Sequence, residues 1–158
     1  MAKFRRENLV CAYKMLKGDA TRLIATKGNA PGLYNLTPID WCMPMDYEPV
    51  TRLIFSCAPN HQCDSNIQRT KEFAVCIPTS QSDPIIGQCG SISDPSANKF
   101  KLFDIKGVKA AATDLVIPAY NLRGWIECRL IRVIREGSVD LIMGEAVAAF
   151  IRQQEGLV

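Results

Sequence analysis

Residues 32–67 contain the side chains whose types and spacing could serve a small-molecule site. Trp41 and Met43 offer flat apolar surface and a polarisable sulfur, while Asn35 and Thr37 add hydrogen-bonding groups that could orient a ring. A mostly apolar pocket with a few placed polar groups is the usual composition of a cofactor site. The same residues around a proline-rich bend also suit ordinary core packing, so this pattern alone leaves both interpretations open.

A polar turn follows the apolar run at residues 50–57 and could hold an anion. Its sequence is APNHQCDS at residues 58–65, and Ser65 is followed three residues later by Gln68, which predicts a capping box and a helix through about Lys71. Free N–H groups at the start of a helix can hold a phosphate. A capped helix that binds nothing would give the same signal.

Candidates for catalysis by side chains are few. His61 is the only histidine, and its polar surroundings are typical of a solvated loop histidine. A serine or cysteine hydrolase would need a base and a group that orients it. The nearby carboxylates Asp40, Asp46 and Glu48 show no paired acid and base arrangement. The sequence therefore predicts no catalytic side chain.

The cysteines indicate a reduced protein. Seven cysteines are present, and none forms a C-x-x-C pair. Zinc and iron–sulfur sites normally show close ligand spacing, so no metal site is predicted. An odd number of cysteines, several of them inside apolar runs, favours buried thiols in a reducing compartment over a disulfide framework.

Length and composition predict one domain spanning residues 1–158. The chain has 47% hydrophobic and 22% charged residues, which is typical of a globular protein. Its net charge of +3 comes from 19 basic and 16 acidic residues that are scattered along the chain, so a nucleic-acid partner is not expected. No run reaches the apolar length of a membrane span or a signal peptide. We therefore expect a cytoplasmic protein without a membrane partner.

The apolar patterning predicts a mainly β chain. The predicted strands cover residues 21–26, 32–36, 50–57, 73–77, 125–135 and 139–151. The first two form a hairpin around the Pro31-Gly32 turn signal. Alternation in the fifth strand changes phase at Ile131, which predicts a β-bulge. Small residues of the last strand leave room for close approach by another backbone or subunit, namely Gly144, Ala146, Ala148 and Ala149.

Prolines punctuate this pattern. Pro38, Pro44 and Pro49 each remove a backbone donor, so a regular central strand cannot pass through them and irregular backbone is expected. Asp83-Pro84 and Asp94-Pro95 each place an N-cap residue before a proline suited to the first helical position, so short helices are expected to begin there.

Five blocks in fixed order resemble a known family. They are PGLYNLTPIDWCMPMDYEP, SNIQRTKEFAVCIP, NKF, WIECRLIRV and LIMGEAV, and they fall within residues 20–150. Their sequence and order are similar to the flavin reductase family of FMN-binding split barrels, and to its flavoredoxin branch in particular. The resemblance implies a six-stranded antiparallel split β-barrel with short peripheral helices. It also implies a homodimer with FMN near the dimer interface and electron transfer through that flavin.

The resemblance also implies which residues contact FMN. The lysine before a phenylalanine in the NKF block is implied to reach the FMN phosphate. A nicotinamide donor, NADH or NADPH, would bind only transiently over the flavin face. The full set of implied cofactor-binding residues is Asn35, Leu36, Thr37, Pro38, Ile39, Asp40, Trp41, Cys42, Ala58, Pro59, Asn60, Cys63, Ser65, Asn66, Lys99 and Phe100.

Three departures from the family pattern leave two functions open. Asp40 stands where many members have serine, Cys63 stands where threonine or serine meets the phosphate, and Asp94-Pro95 replaces the glycine and basic residue after Ser93. The first hypothesis is an FMN-dependent oxidoreductase that takes electrons from reduced nicotinamide or a redox-protein partner and passes them to free flavin or a protein acceptor. The second is a non-catalytic dimeric barrel whose flavin site has decayed or only stores flavin.

Overall fold

The computed structural model describes residues 2–154 and consists mainly of antiparallel strands. The strands are β1 Phe4–Arg6, β2 Arg22–Lys27, β3 Tyr34–Ile39, β4 Cys42–Asp46, β5 Arg52–Cys57, β6 Glu72–Pro78, β7 Val108–Lys109, β8 Val116–Ile117, β9 Leu122–Glu136 and β10 Val139–Arg152. The α-helices are α1 Gln62–Thr70, α2 Pro84–Gly90 and α3 Lys99–Leu102, and short 3-10 helices cover Ala12–Leu16 and Ala119–Asn121.

One large sheet curls into a split barrel. Its hydrogen-bonded order is β3-β2-β6-β9-β10-β5-β4, with β1 added to β10. The two end strands, β3 and β4, are joined by residues 40 and 41 alone, so the sheet must curve until its ends meet. This confirms the split-barrel fold with short peripheral helices. The sheet has eight strands rather than the expected six, because β1 and β4 were not predicted as strands.

Two of the prolines lie in the strands at the ends of the sheet, and the ladder is irregular beside only one of them. Pro38 lies within β3 and Pro44 within β4, and these strands form the two ends of the sheet. The carbonyl of Leu36 points away from β2, because it accepts a hydrogen bond from Lys99. Pro38 has the same phase along the strand, so its missing N–H removes no ladder bond. The expectation of irregular backbone is therefore wrong at Pro38, whereas β4 does have an irregularity, a register shift against β5 between Pro44 and Asp46.

The long β9–β10 hairpin has the predicted bulge. Met143 pairs with Arg132 and Gly144 pairs with Leu130, so Ile131 is the extra residue. The two strands are joined at Gly137, whose φ of 58° suits a residue without a Cβ. The change of hydrophobic phase in the sequence therefore marks the place where the ladder shifts.

The helices confirm one predicted start and correct two. Asp83 caps α2 by accepting a hydrogen bond from the Ile85 N–H at 3.0 Å. Helix α1 begins at Gln62 without a side-chain cap, and Ser65 lies inside its first turn, so the predicted capping box is wrong. Among residues 2–154, no helix has the length and apolar character needed to cross a membrane.

The Asp94-Pro95 pair begins a turn instead of a helix. The Asp94 carboxylate accepts hydrogen bonds from the Ser96 N–H at 2.8 Å and its hydroxyl at 2.7 Å. These local bonds satisfy the carboxylate within a turn. The next helix, α3, begins only at Lys99, where the side chain of Asn98 accepts from the Lys101 N–H.

Core clusters cover both faces of the central part of the sheet. Phe55 and Phe73 lie in the barrel interior, where α1 covers them, and Trp125 lies in a second cluster under α2 and the β7–β8 pair. The small residues of β10 belong to these cores: the alanines are at most 2% exposed, and a Cβ on Gly144 would lie 2.3 Å from the Phe73 ring. Their close approach is therefore to the chain's own core, so they give no support to a subunit contact.

Candidate functional site

Two clefts lie at the split, on either side of the corner between β3 and β4. The smaller has a volume of about 130 Å³, and its walls come from β3, the start of α1, the end of α2, the loop after it, and Lys99. The wider has a volume of about 380 Å³ and is lined by residues 40–43, by β5 and by Leu141. The smaller cleft has room for a phosphate, and the wider has the size of a small-molecule pocket.

Lys99 is the buried cation of the smaller cleft. Its side chain is 4% exposed, and its Nζ donates to the carbonyls of Leu36 and Cys89, each at 2.8 Å. Burial lowers the pKa of Lys99, and the neighbouring thiols of Cys89 and Cys63 oppose this effect. An ammonium group has three N–H donors, so one remains for a ligand in the cleft. Lys99 is therefore a cleft residue and not a solvated surface lysine.

The start of α1 forms the facing wall. His61 and Gln62 line the cleft, and His61 occupies the N-cap position without a side-chain hydrogen bond to the helix. The N–H groups of a first helical turn carry partial positive charge and have no partner within the helix. Together with Lys99, they make the small cleft suited to an anion.

The wider cleft exposes a planar surface. Trp41 is 76% exposed and Met43 59% exposed, although Cys42 between them is buried. Asp40, also in this wall, accepts a hydrogen bond from the Thr21 hydroxyl at 2.5 Å. The Trp41 carbonyl accepts from the Ser56 N–H at 3.0 Å, which fixes the corner to β5. The tryptophan ring therefore stands on a backbone that is held in place.

The predicted site residues divide into three groups. Those that line a cleft are Thr37, Pro38, Asp40, Trp41, Cys42 and Lys99. Those buried within the chain are Asn35, Leu36, Ile39, Cys63 and Asn66. The others are Ala58, Pro59, Asn60 and Ser65 in the turn and first part of α1, and Phe100, which packs against the second core cluster.

Several buried members of the predicted set have partners inside the protein. Asn35 donates to the Thr37 hydroxyl at 3.1 Å, and Asn66 donates to the Thr26 hydroxyl at 3.0 Å. The side chain of Cys63 points into the barrel core, with its Sγ 3.2 Å from that of Cys57. Cys63 therefore does not stand in for the serine or threonine that the resemblance places at the phosphate.

Some cleft residues could not be read from the sequence. Cys89, Gly90 and Ser93 reach the cleft only because α2 packs against β3. Exposed His61 also lines the cleft, although its loop position alone indicated only a solvated side chain. Local sequence carries no signal for a wall that is formed by packing of distant elements.

The cysteines are free thiols, and six of the seven are buried. Burial raises the pKa of Cys42 to about 12 and that of Cys89 to about 11. The hydrogen bond with Cys63, followed by burial, raises the pKa of Cys57 as well. Thiols of this kind remain protonated at neutral pH and are poor nucleophiles. The clefts are therefore better suited to binding than to covalent catalysis.

A curled antiparallel sheet with an anion cleft at its split places the chain in the class of split β-barrels. The flavin reductase like domain family matches residues 20–158, and the chain belongs to that family. It is 25% identical over 150 residues to YddH of Escherichia coli K12, an uncharacterised protein, with 94% of this chain and 79% of YddH covered.

Solved structures show the same fold. An FMN-binding domain of a flavin reductase-like enzyme from Shewanella baltica is 22% identical with a TM-score of 0.79, covering 95% of this chain and 78% of that one. Flavoredoxin from Methanosarcina acetivorans is 21% identical with a TM-score of 0.73, covering 87% and 71%. The NADH:FAD oxidoreductase SgcE6 from Streptomyces globisporus is 12% identical with a TM-score of 0.74, covering 85% and 78%.

Proposed function

We propose that this protein is an FMN-binding oxidoreductase. Membership in the flavin reductase-like family supports a flavin-related oxidoreductase role. The observation that carries the proposal for this chain is the buried Lys99 ammonium, which faces the start of α1 across a cleft large enough for a phosphate. Bound FMN would supply hydride or electron transfer, and the protein would supply binding and orientation.

The chain's own residues divide this task between the two clefts. Lys99 and the first turn of α1 would hold the phosphate, with Thr37 and Ser93 at the sides of the same cleft. The β3–β4 corner would support the ring, with Trp41 at its edge. Asp40 places a negative charge near that position, which would disfavour a reduced, anionic ring. This charge would adjust the reduction potential of the flavin without preventing binding.

The proposed electron route runs from reduced nicotinamide, or from a reduced protein partner, to free flavin or a protein acceptor. NADH or NADPH would bind transiently, because the smaller cleft is filled by the phosphate of the resident cofactor. No side chain is assigned as an acid or base, because the flavin itself would carry the chemistry. The cleft-lining thiols of Cys42 and Cys89 are protonated at neutral pH.

A homodimer is part of the proposal. Trp41, Met43, Met45 and Tyr47 are exposed by 76%, 59%, 43% and 48%, and they lie along β4 and its two flanking residues, with a register shift at Met45. Strand β4 also lies at the end of the sheet, so one side of its backbone has no strand partner within residues 2–154. A row of large apolar side chains on an edge strand is the surface that a second copy could cover.

Light scattering at micromolar concentration tests the dimer. The wild type should have twice the mass of one chain, and Met43→Lys should have the mass of a monomer. Leu102→Lys is the matched control, because Leu102 is 55% exposed but lies on α3, away from β4. A monomeric wild type, or loss of the dimer in both variants, would contradict the assignment of this face.

Titration of flavin-free protein with FMN tests the function. Quenched flavin fluorescence and yellow colour retained through gel filtration are expected, followed by reduction of the bound flavin by NADH or NADPH under nitrogen. If FMN is not retained, the proposal is wrong. If FMN binds but neither nicotinamide nor a chemical reductant yields electron transfer to added flavin, the protein is the non-catalytic, flavin-storing module.

A further inference from the structure

Three metal-ligand side chains meet beneath the smaller cleft. They are Cys57, His61 and Cys63, and their sulfur and imidazole nitrogen atoms all lie within 4.8 Å of one another. The two Sγ atoms are 3.2 Å apart. Nothing in the flavin chemistry proposed above uses this cluster. Two thiols and an imidazole are the ligand types that Zn²⁺ takes in proteins.

The local fold brings these ligands together over seven residues. Cys57 is the last residue of β5, His61 precedes α1, and Cys63 lies in the first turn of that helix. The connecting turn is closed by a hydrogen bond from the His61 N–H to the Ala58 carbonyl at 3.0 Å. A strand end, a closed turn and a helix start hold the ligand backbone in place without a metal, which is the preorganisation that a binding site needs.

Two buried carboxylates, Asp64 and Asp140, lie near the cluster, while the Lys99 ammonium lies near Cys63 and Arg135 pairs with Asp140. Asp64 is 1% exposed, its Oδ1 accepts from Gln68 at 2.5 Å, and its Oδ2 has no donor among the described residues while the adjacent Asp64 and Asp140 carboxylates are both ionised. Asp140 pairs with Cys57 across the sheet, and its carboxylate is bonded to Arg135 at 2.6 Å. A buried carboxylate oxygen without a partner costs free energy. A cation bound beside it would offset that cost.

We propose that Cys57, His61 and Cys63 form a Zn²⁺ site, with the fourth ligand position open to water. The metal replaces one proton on each thiol, both protons go to solvent, and no atom is oxidised or reduced. The two negative thiolates balance the two positive charges of Zn²⁺, so the bound metal adds no net charge to a buried site. His61 is exposed while both cysteines are buried, so the metal enters from the side of the imidazole.

The distances are compatible with zinc after a small adjustment. Zn–S bonds of about 2.3 Å at a tetrahedral angle place two sulfurs about 3.8 Å apart. The thiols therefore need to separate by about 0.6 Å from their present 3.2 Å. Both side chains rotate about a single χ1 bond, so this movement requires no change in the backbone. The imidazole, which reaches from the N-cap residue, can rotate towards the same point.

Zinc titration of the full chain, kept reduced and stripped with a chelator, tests the site. Competition with a chromophoric chelator should give one Zn²⁺ per chain. Co²⁺ in place of Zn²⁺ should produce thiolate-to-metal absorption and the strong visible bands of a tetrahedral site. Neither measurement needs flavin, so the zinc proposal and the flavin proposal can fail independently.

Single variants identify the ligands. Cys57→Ser, Cys63→Ser and His61→Ala should each weaken zinc binding by about tenfold or more, since even loss of an outer contact costs about 10–100-fold. Cys76→Ser is the matched control, because it removes a fully buried thiol from the other core cluster and should leave zinc affinity unchanged.

The outcome decides the proposal even if a cysteine variant fails to fold. His61 is at the surface, so His61→Ala should fold and must still lose affinity. The proposal is overturned if that variant binds zinc like the wild type, or if the Cys76→Ser control loses affinity to the same extent as the ligand variants. It is also overturned if Co²⁺ shows no sulfur ligation, or if the reduced chain takes up no zinc.

Discussion

Two buried carboxylates in this molecule have opposite surroundings. Glu127 on β9 is fully buried, and its oxygens accept four hydrogen bonds, from the N–H groups of Ala111 and Ala112, the Thr113 hydroxyl and the Trp125 indole, at 2.7–3.1 Å. Asp64 on α1 is buried to a similar degree, but its Oδ2 has no partner among the described residues. The two carboxylates are therefore equally buried but differ in how many of their oxygens accept hydrogen bonds.

This difference in hydrogen bonding distinguishes Glu127, which stabilises the fold, from Asp64, which lies beside the proposed zinc site. Glu127 holds the loop of residues 111–113 against the sheet, and each of its partners belongs to the protein. Burial, and then a hydrogen bond to Asp140 that forms when the two carboxyl groups share a proton, raise the pKa of Asp64 to about 6, so Oδ2 lacks a donor above that pH. A native protein rarely keeps such a group without a reason, and an absent ligand or ion is one recognised reason. In this chain the unsatisfied carboxylate lies beside three metal-ligand side chains.

The largest expected effect is on the satisfied carboxylate. Glu127→Gln keeps the shape of the side chain but turns one acceptor oxygen into a donor that faces other donors. We expect a loss of about 3 kcal/mol in the free energy of unfolding, because at least two N–H or O–H groups lose their acceptor. Urea unfolding followed by circular dichroism measures this loss. A change below about 1 kcal/mol would mean that the network is not what holds the loop.

The second effect concerns Lys99, a buried charge that is only partly satisfied. Lys99→Gln keeps N–H donors for the Leu36 and Cys89 carbonyls but removes the charge. Loss of a charge-assisted bond to phosphate should weaken FMN binding by about 10–100-fold. Riboflavin has the same ring without a phosphate, so its affinity should be equal in wild type and variant. A parallel loss of riboflavin affinity would assign Lys99 to the fold instead of the phosphate.

The third prediction tests whether the barrel beneath Asp64 is tightly packed. A Cβ on Gly144 would meet the Phe73 ring at 2.3 Å and the Cys128 Cβ at 3.1 Å. Gly144→Ala should therefore cost about 1–2 kcal/mol of stability, without changing the mass in light scattering. If alanine is accepted at no cost, the interior is loose, and loose packing would explain the unpartnered Asp64 oxygen without any ligand.

The sequence predicted those parts of the fold that depend on neighbouring residues. The phase change at Ile131 located the bulge, because side chains alternate along a strand whatever the rest of the chain does. The Asp83-Pro84 pair located a helix start because the capping hydrogen bond joins residues only two positions apart. Pro38 does not interrupt its strand as expected, because the effect of a proline depends on whether the strand lies at the edge of the sheet, which is a property of the whole topology.

The site was less predictable than the fold. The family resemblance implied a site at Lys99 and the β3–β4 corner, residues that line the two clefts, but it could not show that Cys63 turns into the core. The spacing C-x3-H-x-C in residues 57–63 was not recognised as a set of metal ligands, because only the change from strand to helix folds these residues back on one another. Residues of α2 reach the cleft through packing that no local pattern records.

The smallest expected effect is on Asp64, the unsatisfied carboxylate. Asp64→Asn replaces a carboxylate by an amide, as Glu127→Gln does in the destabilising variant described above. Asp64→Asn keeps the oxygen that accepts from Gln68 and places an uncharged NH₂ group where Oδ2 now lacks a partner. Removing a buried charge offsets any lost contact, so metal-free protein at pH 8 should change in stability by less than about 1 kcal/mol, or gain slightly. Urea unfolding in the presence of a chelator measures this value beside that of Glu127→Gln. A loss as large as that of Glu127→Gln would show that Asp64 is satisfied within the fold, and the contrast between the two carboxylates would then disappear.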